Sequence, residues 1–137
     1  NFQSHGKIES MRLFEVYGGL MYSGLIIKES IVDEQILDKL DVVSVELWKT
    51  NNKPKYWTAI SFTSNYEDFP KHLSNALELS SESGMVWYVD IKDTIYMYIV
   101  LKDVVLKYHL GNEEEKKVVC ERCIELGVKR EQLDWLE

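Results

Sequence analysis

Between Met85 and His109 apolar residues return at every second position, and the tight Lys92-Asp93 and Lys102-Asp103 breaks divide the stretch into three β-rich runs. In the first run Met85, Trp87, Val89 and Ile91 share one side, and Val86, Tyr88 and Asp90 the other. In the second, Ile95, Met97, Ile99 and Leu101 oppose Tyr96, Tyr98 and Val100. The pattern predicts a three-stranded antiparallel meander. Upstream, β-rich runs over Val42 to Thr50 and Lys55 to Thr63 flank Asn51-Asn52-Lys53-Pro54, where Asn tolerates left-handed dihedrals and Pro presets φ. These predict a hairpin. Arg12 to Tyr17, closed by Gly18-Gly19, reads as a first short strand, and Gly24 to Ile27 as another extended piece.

A period near 3.6 marks the helices. Ser30 stands three residues before Asp33, the spacing of a capping box, and Ile31, Ile36, Leu37 and Leu40 fall on one side, so a helix is expected from Ile31 to Asp41. A second opens at Asn65 or at Asp68-Phe69-Pro70, with Pro70 in its first turn. Leu73, Ala76, Leu77 and Leu79 supply its apolar residues, and it stops in Ser80-Ser81-Glu82-Ser83-Gly84. Asn112 caps a last helix whose first turn holds Glu113, Glu114 and Glu115; Val119, Cys123 and Leu126 form its apolar side, and Gly127 ends it. Glu131 to Trp135 is expected to fold back as a short turn, which buries Trp135 and Leu136. The order predicts an α+β domain: an antiparallel sheet of five or six strands, a hairpin plus a C-terminal meander, with about three helices covering one face.

Composition narrows the function. The 137 residues are 45% hydrophobic and carry a net charge of −7, which suits one domain with its own core and disfavours nonspecific nucleic-acid binding. Residues 1–10 read as the remnant of an expression tag, leaving 11–137 as the domain. No apolar run approaches the roughly 18 residues of a membrane span, no leader pattern follows Met11, and the two cysteines suit a cytoplasmic chain.

Candidate chemistry is sparse. Cys120-x-x-Cys123 lies in mid-helix, without the free amides that activate a redox thiol, so Cys123 is expected in the core and Cys120 partly exposed. Two further zinc ligands at suitable spacing are missing, and Asp90 and Asp93 suit a hairpin turn better than a calcium loop. His72 or His109, with a nearby carboxylate, is the basis of an alternative reading as a small hydrolase or transferase. No Gly-x-Ser-x-Gly elbow, phosphate loop or dinucleotide fingerprint accompanies them. No cofactor or metal is expected.

Two surface signals remain. Tyr88, Tyr96, Tyr98 and Tyr108 on one side of the meander form either half-buried cross-strand pairs or a protein-binding face. From Lys28 to Glu46 six acids stand against two lysines. Asp33, Glu34, Asp38 and Asp41 are then either a solvated ridge or a steering surface for a basic partner. A small acidic α+β chain with aromatic-rich antiparallel strands and no assembled catalytic set resembles the immunity proteins that neutralise bacterial polymorphic or contact-dependent toxins. Trp87-Tyr88-Val89-Asp90-Ile91, the Lys107-Tyr108 to Gly111 junction and Gln132-Leu133-Asp134-Trp135 also look like features of short bacterial proteins. The resemblance implies a binding protein whose partner is a cognate toxin, often a basic nuclease. Asp33, Glu34, Asp38 and Asp41, with Tyr88, Tyr96 and Tyr98, are the expected contact residues. A phage or mobile-element accessory protein is a further alternative. An unpaired edge strand would also offer a homodimer contact, unless charge blunts it.

Overall fold

The structure, a computed structural model, describes residues 21–133. The strand expected over Arg12 to Tyr17, the tag remnant and Trp135 lie outside the described residues. Six antiparallel strands form one open sheet: β1 (Tyr22–Ile27), β2 (Asp41–Lys49), β3 (Tyr56–Ser64), β4 (Val89–Lys92), β5 (Tyr96–Leu101) and β6 (Val104–His109). Their order across the sheet is β2-β3-β1-β4-β5-β6, so β1 joins the N-terminal hairpin to the meander. Two α-helices, α1 (Phe69–Ala76) and α2 (Glu113–Glu125), and three short 3-10 segments complete the described chain.

Gly24 is required where the two halves meet. It pairs with Ile91, and a Cβ there would stand 2.9 Å from the Asp90 carbonyl oxygen, so a side chain would push β1 off β4. β2 and β3 pair along their length except for a bulge between Val42 and Ser44.

The register decides which side each apolar set covers. Val89 lies opposite Val100 and Ile91 opposite Tyr98, so the odd positions of β4 share a face with the even positions of β5. One face, with Ile26, Phe62, Val89, Ile91 and Val100, is covered by Phe69, Leu73, Ala76 and Leu77 of α1 and its C-terminal end. The opposite face, with Ile99, Leu101 and Tyr108, is covered by Val119 and Cys123 of α2 and by Val128 and Leu133. The expectation that helices cover one face is therefore corrected: both sides of the meander are apolar, and each needs its own layer.

The first expected helix is also corrected. Ile31 is extended and bridges Leu77, the Val32 N–H donates to the Ala76 carbonyl, and only Glu34–Lys39 winds, as a 3-10 segment. Its cap is Asp33, which accepts from the Gln35 N–H at 3.1 Å. Ser30 is buried, and its hydroxyl donates to the Ile27 carbonyl. Burying Ile31 against the end of α1 removes the residues that a longer helix would have needed. The second helix ends at Ala76, short of Leu79, for the same reason. Asn112 caps α2 as expected, accepting from the Glu115 N–H at 3.0 Å, and Gly127 ends it at φ +103°.

Candidate functional site

The expected contact residues do not form one surface. Asp33 is occupied as a cap, Glu34 pairs with Lys28 at 3.0 Å, Asp38 is exposed, and Asp41 opens β2. These acids thus lie along one continuous segment that runs into β2. Tyr96 and Tyr98 stand on the α1 face of the sheet. The Tyr98 hydroxyl donates to Asp93 at 2.7 Å, and the Tyr96 ring lies 4.6 Å from that of His109, with the Lys107 ammonium 4.4 Å from its centre. Tyr88 and Tyr108 belong to the α2 face, where the Tyr88 hydroxyl donates to the Gln132 carbonyl. The single tyrosine platform is therefore corrected: the β4–β5 register sends the two pairs to opposite sides.

What the fold exposes is β2. Among the described residues it is one of the two outer strands, with β6 at the other edge, and every one of its nine residues is exposed. Val42, Val45 and Leu47 point to the side of Phe62 and Ile60, and Trp48 to the other, because they pair with Phe62, Ile60, Thr58 and Trp57 in turn. Leu47 is 70% exposed. The strand's backbone is also open. Opposite Leu47 stands Thr58, whose N–H turns away from β2 and donates to Glu29 Oε1 at 2.8 Å. In an antiparallel pair both residues then face away from each other, so Leu47 directs its N–H and C=O outward. Val45 and Lys49 do the same by alternation, while the Thr50 N–H, of opposite parity, bonds Lys55 across the hairpin.

A groove of about 320 Å³ adjoins the strand on the Trp48 side, lined by Leu25, Ile27, Trp48, Trp57, Met85 and Trp87 among others. The rings of Trp57 and Trp87 lie 5.0 Å apart, and neither indole N–H has an acceptor among the described residues. Each buried unpaired donor costs about 1–3 kcal/mol. Concave, aromatic and next to an open strand, the groove can seat an apolar side chain.

The ionisable groups are arranged for structure. Asp93 is buried and accepts from the N–H groups of Ile95 and Tyr96 and from the Tyr98 hydroxyl, which holds the β4–β5 turn. Burial, and then the Asp93 carboxylate, raise the Tyr98 phenol well above its ordinary value. The His109 N–H and imidazole hold the Glu115 carboxyl below its ordinary value. His109 pairs with Glu115 at 2.9 Å, whereas His72 sits edge-on to Tyr66, at 5.1 Å between ring centres. Both cysteines are buried, which corrects the expectation for Cys120. Burial raises its thiol and pushes that of Cys123 up to about 11, too high for nucleophilic work at neutral pH. Among the described residues no group of three His, Cys, Asp or Glu is placed to hold a metal ion, and no helix is long and apolar enough to cross a membrane.

Beyond Asp41 at its start, the β2 edge was not among the expected contact residues. Its signal is present in Val42-Val43-Ser44-Val45-Glu46-Leu47-Trp48, where apolar groups occupy both parities, but such a run reads equally as a strand buried on both faces. Glu29 gave no signal at all, since its role depends on Thr58, 29 residues away. No protein-family model, curated protein or solved structure matches the chain.

Proposed function

We propose that the chain is a protein-binding inhibitor of the toxin-immunity kind and that it grips its partner along β2. The observation that carries this reading is the strand itself: nine exposed residues, apolar on both faces, with outward N–H and C=O groups at Val45, Leu47 and Lys49. An extended segment of a partner adds to such an edge through main-chain bonds, and side chains reaching into adjacent pockets give specificity. The Trp48–Trp57–Trp87 groove supplies such a pocket.

Charge supports the same orientation. Asp33, Glu34, Asp38 and Asp41 lead into the start of β2, so a basic partner is drawn toward that end, which raises the association rate more than the affinity. A small basic nuclease has the matching sign. Inhibition follows from occupancy: a partner held along its own strand cannot present that surface to its target.

The test is co-expression with the product of the adjacent gene, followed by measurement of binding kinetics. Leu47→Lys is expected to weaken the complex at least tenfold through faster dissociation. Replacement of Asp33, Glu34, Asp38 and Asp41 by alanine is expected to slow association and flatten its salt dependence. A partner that binds both variants as it binds the unaltered chain removes the proposed surface.

A further inference from the structure

We propose that β2 also pairs with β2 of a second copy of this chain, antiparallel about a two-fold axis at Leu47, so that the two sheets become one. The inference rests on the reading of β2 as the contact edge, and it names a second occupant for it.

A two-fold contact sets one residue opposite its own copy, and the sequence of β2 selects which. The bulge between Val42 and Ser44 leaves Ser44 to Lys49 as the regular stretch. An axis at Val45 would bring Leu47 onto the bulge, where two residues face one. An axis at Glu46 would set two carboxylates opposite each other, which is destabilising. An axis at Trp48 would centre the pair on backbone groups already turned toward β3, and it would lose the Val45 bonds.

The Leu47 axis has none of these defects. Leu47 exchanges N–H···O=C bonds with its own copy, and Val45 and Lys49 exchange theirs with Lys49 and Val45 of the second chain, so every outward group of the regular stretch is used. Side chains agree with backbone. Val45 and Leu47 of both copies meet on one face. On the other, Glu46 of each chain stands opposite Trp48 of its copy. Within one chain the Trp48 indole N–H donates to Glu46 at 2.9 Å, and across the axis that one N–H stands within reach of either chain's carboxylate. In this register each carboxylate faces a hydrogen-bond donor and not the other carboxylate, on both sides of the axis, so the edge is complementary to itself. The Lys49 stem lies over Val45 of the copy, and no like charges are opposed.

Sedimentation velocity of the purified chain over a concentration series tests this. The expected result is a concentration-dependent rise from 16.1 kDa to twice that mass. Leu47→Pro removes one outward N–H while leaving the β2–β3 ladder intact, and it should hold the chain at the single mass with unchanged far-UV circular dichroism. Leu47→Lys, which sets two ammonium groups across the axis at a largely exposed position, should do the same and serves if the proline variant does not fold. A chain that keeps the single mass up to millimolar concentration overturns the proposal, as does a dimer that survives both Leu47 variants. The two readings fail separately. A monomeric chain whose Leu47→Lys variant still loses the toxin-like partner sinks only self-pairing. A dimer broken by Leu47→Lys alongside unaltered partner binding sinks only the reading of β2 as the partner's site.

Discussion

Among the described residues the sheet has two open edges, and the chain treats them in opposite ways. β6 is six residues long, buries Tyr108, and half-buries Val104 and Leu106 against the core that α2 closes. Its start is fastened from the other side, where the Asp103 N–H donates to the Ser74 carbonyl of α1 at 3.0 Å. β2 is half as long again, has no helix over either face among the described residues, and exposes every side chain. Edges of the first kind are blunted against association, whereas the second invites it. Lys49 and the bulge near Val43 only limit which register a neighbouring strand can take. The contrast teaches that apolar residues on this sheet are core only where a second layer reaches them. On β2 no such layer reaches them among the described residues, and they stay exposed.

The comparison breaks most visibly through the covered side. Ile99→Ala, at a fully buried position beneath α2, should cost about 2–5 kcal/mol in urea unfolding. Next comes the seam between the two halves. Gly24→Ala sets a methyl 2.9 Å from a backbone oxygen that cannot yield, and about 1–3 kcal/mol is expected in the same assay.

The meander side should also show the stronger alkaline response. The Tyr98 phenol has its folded value raised by burial and by Asp93, so the stability tied to keeping it protonated is full below the ordinary tyrosine value of about 10 and is lost as pH rises through the raised one. Thermal melts of Tyr98→Phe should therefore fall less steeply above that pH than those of the unaltered chain, at the cost of about 1.5–3 kcal/mol at neutral pH for the lost bond to the Asp93 carboxylate. Smallest of all is the open edge: Leu47→Lys should change unfolding stability by no more than about 0.5 kcal/mol while abolishing association. A loss of several kcal/mol there would mean that β2 is part of a core after all, and the distinction between the edges would fall.

Much of this was legible along the chain because its causes are local. The Asn51 to Pro54 turn, the meander, the Asn112 cap and the Gly127 stop each depend on dihedrals or bonds within a few residues. The shortened first helix was not legible, since the competing partner of Ile31 is Leu77. The tyrosines illustrate the same limit: alternation placed Tyr96 with Tyr98 and Tyr88 with Asp90, but not the two sets relative to each other.

The residues alone therefore settled that this is an antiparallel α+β protein with a hairpin and a meander, and which positions alternate within each strand. They left open which of the two faces each set would take, and whether an apolar strand would be central or outermost. Period-two alternation is a property of one strand, whereas facing, burial and exposure are properties of its neighbours. Val42 to Trp48 read the same in the middle of a sheet as at its rim, and only the order β2-β3-β1-β4-β5-β6 put them at the rim, facing outward.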